Sequence, residues 1–375
     1  MKYEVFSNAF EKTYTFVRKQ PLLQCLAIGV AAAISIVACK KSDTPAPQQN
    51  NADGQAMAAF RQEHGPAFEN FTVDAAAGAV LTSSTGTTYT IPAGAFQTKA
   101  GAAVTGSVTV SVKEINSAAD MILGDKPTLT RDGKMLLSYG EFFIKAAQGS
   151  QDLQLKKDSG IKVAVRAKPN GAQEIPMWSG DSTVTTTMSG YDYLNVAVTI
   201  STQTPVRSGV LWDQLNTNGY AFFNGTNGTL NFTIDSLVQW RNCDAIVSNS
   251  SPKTTVLAYF ASHYNTATQQ DYMGDQPTIL YFKPHGQNTL IKLYDVILNA
   301  PAGYQGFYSY QNSMPIGLQG TFLAMSTING KFYADMQDVT IPAPSGSNNY
   351  TTFTFDPQEV SESTMVSMIL SMNSK

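Results

Sequence analysis

The side chains able to do chemistry are few and scattered. His64, His263 and His285 are the only histidines, and none has a second histidine, cysteine or acid at zinc-ligand spacing, so the sequence nominates no metal site. Cys243, in Asn242-Cys243-Asp244, would act as a nucleophile only if a histidine met it in space, and otherwise reads as a small buried thiol. There is no Gly-x-Ser-x-Gly elbow, phosphate loop or calcium loop, and nothing calls for a cofactor. A glycosidase needs two facing carboxylates, and the scattered acids single out no pair; Asp152 with Asp158 and Asp271 with Asp275 read as turn-flanking. The more suggestive group is aromatic. Tyr304, Phe307, Tyr308 and Tyr310 surround Pro301-Ala302-Gly303 and Gly306, where exposed rings would contact a ligand and alternating rings would instead fill a core.

The elements that must carry these residues are strands. Thr87, Tyr89 and Ile91 alternate with polar neighbours, as do Val108, Val110 and Val112, then Ile161, Val163 and Val165, then Thr255, Leu257 and Tyr259. Asn224-Gly225-Thr226-Asn227-Gly228-Thr229 contains two Asn-Gly steps, a strong hairpin signal between Tyr220-Ala221-Phe222-Phe223 and Leu230-Asn231-Phe232-Thr233-Ile234. Charged residues make up 14% of the chain, about half the usual share, with abundant turn and strand formers. These features predict an all-β protein of tandem antiparallel β-sandwich domains. The domains fall at 70–178 and 179–375, the second closing with a short α-helix over 357–373. Asp356 would cap that helix, with Pro357 first and Glu359 completing a capping box. Its stripe of Met365, Met368, Ile369 and Met372 would pack on the last sheet or dock on a partner.

Leu22 to Cys39 is an apolar run without charge, preceded by Arg18 and Lys19 and ending in small residues. That layout is a secretory signal over 1–38, and it is short for a membrane-spanning helix. Its end, Ile36-Val37-Ala38-Cys39, resembles the lipobox of bacterial lipoproteins. The resemblance implies cleavage between Ala38 and Cys39, acylation of the Cys39 thiol by chains such as palmitate, and membrane attachment through that residue. Residues 39–69 then read as a flexible tether, with a short helix expected near Met57–His64. The net charge is −3, and removing 1–38 takes Lys2, Lys12, Arg18, Lys19, Glu4 and Glu11 with it, giving −5. With no basic run, nucleic acid is not an expected partner. Cys25 leaves with the signal, so no disulfide within the remaining chain is expected.

The layout also resembles lipoproteins of the Bacteroidota, as do Gly133–Ala146 and Trp240-Arg241-Asn242-Cys243-Asp244, and the resemblance implies a place at the outer membrane, on its periplasmic face or at the cell surface. Gly86–Phe96 followed by Gly106-Ser107-Val108-Thr109-Val110 resembles the β domain of ankyrins, netrin receptors and zonula-occludens proteins, which implies a β fold and protein binding. The His-Phe-Ser self-cleavage site of some of those proteins is absent. The expected role is a non-catalytic binding or structural module for a glycan or an envelope protein, and the competing expectation is a surface hydrolase whose carboxylate pair is dispersed in sequence. Mass spectrometry of the native protein is expected to find an acylated Cys39 as the first residue, and Cys39→Ala to release the protein from membranes; an intact amino terminus would refute the anchor.

Overall fold

The computed structural model describes residues 51–168, 174–181, 185–191, 197–205, 210–215, 219–269 and 275–375. Among the described residues three α-helices, α1 (Ala52–His64), α2 (Ala118–Gly124) and α3 (Glu362–Ser371), accompany the strands. The first part of the chain supplies β1 (Glu69–Asp74), β2 (Ala79–Thr82), β3 (Thr88–Ile91), β4 (Phe96–Thr98), β5 (Ser107–Ile115), β6 (Leu136–Gln148), β7 (Gln151–Leu155) and β8 (Ile161–Arg166). There follow β9 (Glu174–Asp181), β10 (Thr185–Tyr191), β11 (Ala197–Pro205), β12 (Leu211–Gln214), β13 (Tyr220–Asn224), β14 (Thr229–Ile234) and β15 (Trp240–Ile246). The last part gives β16 (Lys253–Phe260), β17 (Thr278–Pro284), β18 (Ile291–Lys292), β19 (Asp295–Val296), β20 (Gly306–Tyr308) and β21 (Met314–Pro315). It ends with β22 (Gln319–Ile328), β23 (Lys331–Thr340), β24 (Tyr350–Phe355) and β25 (Gln358–Val360). The chain is all-β in class, with mainly antiparallel sheets and a short C-terminal helix.

The largest sheet runs β1-β5-β6-β15-β9-β13-β14-β8-β3-β2. Its two end strands, β1 and β2, are neighbours in sequence, so the sheet rolls over and its inner face closes on a single core. That core takes Val110 from β5, Phe142 from β6, Met177 from β9, Phe232 from β14, Val163 from β8 and Tyr89 from β3. The two-residue period does the sorting: on β8, Ile161, Val163 and Val165 are buried while Lys162 and Arg166 are exposed. Rolling also leaves little free edge for pairing with another chain.

The second part is a sandwich. One sheet holds β16 with β19, β20, β21 and, paired in parallel, β24; the other runs β18-β17-β22-β23-β25. Val256, Phe260, Phe282, Phe307, Phe322 and Phe355 fill the space between them. β17 is buried along its whole length because its other face, Ile279 and Tyr281, is covered by the helices. Met57 and Phe60 of α1, Met121 and Ile122 of α2, and Met365 and Ile369 of α3 pack there with Leu323 and Met325.

Charge fixes the position of those helices. The Asp125 carboxylate, just past α2, accepts Lys292 Nζ at 3.0 Å on both oxygens and Tyr281 Oη at 2.7 Å, and lies 2.8 Å from Arg61 Nη1. All four residues are buried. Burial alone would raise the Asp125 carboxyl, but Lys292 and Arg61 outweigh it and hold the group far below the usual carboxylate range. Asp125 is also the C-cap of α2 at φ 50, a left-handed conformation that usually selects glycine. The three partners explain why an aspartate stands there.

Three expectations are corrected. The boundary at 178–179 falls inside β9, whose residues pair with β15, β12 and β13 in the rolled sheet, so that sheet continues to Ile246. The expected tether is structured from Asn51 onward: Asn51 caps α1 by accepting from Gly54 N at 2.9 Å, and Met57 and Phe60 are core residues. The stretch 39–50 lies outside the described residues, as does the expected signal over 1–38. The C-terminal helix begins at Glu362, not 357, with Ser361 as its cap accepting from Thr364 N at 3.1 Å. Gln358–Val360 instead extend the sheet beside β23, and Glu359 pairs with Lys331 at 2.9 Å.

Asp125→Asn leaves Lys292 and Arg61 buried without their counter-charge. A loss of about 3–5 kcal/mol is expected in denaturant unfolding; a variant as stable as the parent would show that the cluster does not hold the helices.

Candidate ligand-binding face

The outer surface of the rolled sheet carries an open concavity, about 720 Å³, over β3, β8, β14 and β13. Pairing aligns its residues in rows. Thr88 stands opposite Ala164, Ala164 opposite Asn231, and Asn231 opposite Phe222; Thr90 stands opposite Lys162, and Lys162 opposite Thr233. Adjacent strands lie about 4.8 Å apart, so the first row spans roughly 14 Å. Tyr220 and Phe222 sit two residues apart on β13, on the face opposite buried Ala221. They are 39% and 51% exposed, with no core to fill on that side. Beside them Asn231 is held by Thr229, its Nδ2 donating to Oγ1 at 3.0 Å. At one end Asp235 accepts from Arg241 Nη2 at 3.1 Å; burial pushes its carboxyl up, and Arg241 overrides this and holds it below the usual range. The face therefore offers two flat apolar rings, a row of hydroxyls, an amide, an ammonium and a carboxylate.

The expected aromatics do not form such a surface. Phe307 is fully buried in the sandwich core and Tyr308 is buried beside Leu257 and Ile297. Tyr310 is partly buried against that core, and only Tyr304 is exposed, its ring edge-on to Tyr259 at 5.5 Å. β20 is buried on both faces, Phe307 toward the sandwich core and Tyr308 toward Leu257 and Ile297, which corrects the reading of Tyr304, Phe307, Tyr308 and Tyr310 as one ligand-contact group. The signal that would have found Tyr220 and Phe222 is their placement at i and i+2 before the Asn-Gly hairpin, which puts both on one face.

Cys243 is buried with its Sγ 2.9 Å from Met177 Sδ, and burial pushes its thiol well above the usual range, so it is no nucleophile at neutral pH. His263 stacks on Tyr333 at 4.1 Å, and His285 Nε2 lies 2.9 Å from Thr321 Oγ1. His64 Nε2 lies 2.7 Å from Glu362 Oε1, and with Glu63 these residues present three ligand atoms within 4.8 Å of one another at the surface. Ala38 and Cys39 lie outside the described residues, and so does Asp271. Among the described residues no helix is long and apolar enough to cross a membrane.

A carboxylate pair does exist, and it is sealed. Glu141 of β6 faces Asn242 of β15, and Ser138 faces Asp244, with a register shift between Asn242 and Asp244. Glu141, Asn242 and Asp244 are each fully buried. Asn242 Nδ2 donates to Asp244 Oδ2 at 2.5 Å. Burial, then the Asp244 charge, pushes the Glu141 carboxyl well up, and burial pushes Asp244 up to about 7 against its hydrogen bonds from Ser138 and Asn242. Bare charge is costly there, so protons are held instead. Neither residue lines the open face.

No family model, no curated protein and no solved structure matches this chain.

The buried pair makes stability pH-dependent in a defined sense. Both carboxyls are raised on folding, so the folded chain keeps protons that the unfolded chain releases above about pH 4. Their contribution is complete below that pH and is lost as pH rises toward about 7 for Asp244, and further for Glu141. Melting temperature is expected to fall over this interval, and Glu141→Gln to flatten the fall and melt higher than the parent at pH 8. Equal slopes for parent and variant would remove the pair from the account.

Proposed function

We propose that this chain is a non-catalytic glycan-binding module, exported and held at the cell envelope through Cys39. The observation that carries the binding reading is the solvent-facing pair Tyr220 and Phe222, aligned with Thr88, Thr90, Lys162 and Asn231 along an open sheet face. A sugar ring has C–H faces that lie on an aromatic ring and a hydroxyl rim that needs donors and acceptors. Rings bring contact area at low entropic cost, and neighbouring hydroxyls, amide and ammonium supply the polar contacts. An open groove also suits a chain ligand, which can enter and leave at both ends. Export and anchoring rest on the Leu22–Cys39 signal and its lipobox resemblance alone.

A hydrolase would need its acids where a glycosidic bond can reach them. Glu141 and Asp244 have the raised proton affinity of catalytic acids but lie inside the sheet, so their burial counts against that use.

Binding to a glycan array is expected for the protein, and Tyr220→Ala and Phe222→Ala should each weaken the captured glycan roughly tenfold or more. Both rings are exposed, so the melting temperature should stay near that of the parent. Polysaccharide turnover that survives repurification and is lost in Glu141→Gln would overturn this reading in favour of an enzyme.

A further inference from the structure

A second concavity, about 250 Å³, lies where the C-terminal ends of α1 and α2 meet β5 and β15. Its charged lining among the described residues is Arg61, Lys113, Lys126, Asp125 and Asp275, with the Trp240 indole as one wall. The cations are under-used. Arg61 is 6% exposed, and although Nη1 touches Asp125, its Nε has no hydrogen-bond partner. Lys126 is 9% exposed, and its Nζ donates only to the backbone oxygens of Gly124 at 3.2 Å and Asp125 at 3.3 Å, while lying 5.2 Å from the Trp240 ring centre. Lys113 shares the Phe68 ring with Lys145, at 4.7 and 4.3 Å, with no acid beside it in those contacts. Burial lowers both Lys113 and Lys126 from the usual lysine range, Lys145 adding to the effect at Lys113, so each would gain from a nearby anion.

We propose that this pocket binds a small monocarboxylate ligand of about one sugar ring in size, with Arg61, Lys113 and Lys126 on its carboxylate and Trp240 against its apolar face. Three cations line the pocket against Asp125 and Asp275, and Asp125 is already neutralised from behind by Lys292, so the lining favours an anion, while the Trp240 indole favours one with an apolar face. Asp275 disfavours a second negative charge, and inorganic phosphate has no apolar face for Trp240. The volume admits a single ring and excludes a chain, so the site is separate from the sheet-face groove and does not depend on its assignment. An arginine fork and two ammonium groups with spare donors suit a carboxylate well.

The test is calorimetric titration of the full protein with glucuronate, glucose and inorganic phosphate. Glucuronate is expected to bind saturably and to change Trp fluorescence, with the change lost in Trp240→Phe. Lys113→Met, at a half-buried position whose loss should not unfold the protein, is expected to weaken glucuronate roughly tenfold or more. Phe222→Ala, on the other face, should leave it unchanged. Absence of glucuronate binding, equal binding of glucose, tighter binding of phosphate, or undiminished affinity in Lys113→Met would each overturn the assignment. Loss of glucuronate binding in Phe222→Ala would move the acid-sugar site to the groove and overturn it as well.

Discussion

The carboxylate of Asp125 is the point at which distant parts of this chain are tied together. It takes charge and hydrogen bonds from Arg61 on α1, from Tyr281 on β17 and from Lys292 on β18, all within 3.0 Å. Burying four such groups costs several kcal/mol of desolvation per ion, and the cluster is tolerable only because every oxygen of the acid is claimed. Apolar packing of α1 and α2 on β17 would favour association without fixing where the helices sit. The charges fix it, and even the left-handed backbone at the end of α2 is set by that demand.

A second buried acid site shows the opposite solution. Glu141 and Asp244 lie inside the rolled sheet without a cation in hydrogen-bond contact, and burial raises both carboxyls. The contrast follows from partners alone: Asp125 has two cations within 3.0 Å, whereas Lys126 acts on Glu141 only as a weaker, opposing charge. The same arrangement leaves Lys126 and Lys113 at the rim of a pocket with donors to spare. In this molecule, the placement of charge around α2 sets stability and creates a binding opportunity together.

The groove has a different origin. Rolling the sheet sends one set of alternate side chains inward and leaves the other set in register on the outside. Tyr220 and Phe222 are outside because Ala221 and Phe223 are turned toward the core on the same strand. An aligned outer surface spanning four strands is a by-product of sheet pairing, and residues from positions 88 to 231 become neighbours on it.

The all-β class, the strand at 161–166, the Asn-Gly hairpin and the apolar stripe of Met365, Ile369 and Met372 were legible in the sequence, because each rests on local periodicity or turn chemistry. The start of α3 was not, since Asp356 and Ser361 are both competent caps and only the pairing of Gln358–Val360 with β23 chooses between them. Nor was the fate of Tyr304, Phe307, Tyr308 and Tyr310, because exposure of an aromatic depends on which sheet covers its strand. The joining of Glu141 to Asp244, of Arg61 to Asp125 and of Thr88 to Phe222 belongs to tertiary structure alone. Register and helix packing bring together residues that no sequence spacing connects, whereas alternation along a single strand is already written in neighbouring residues.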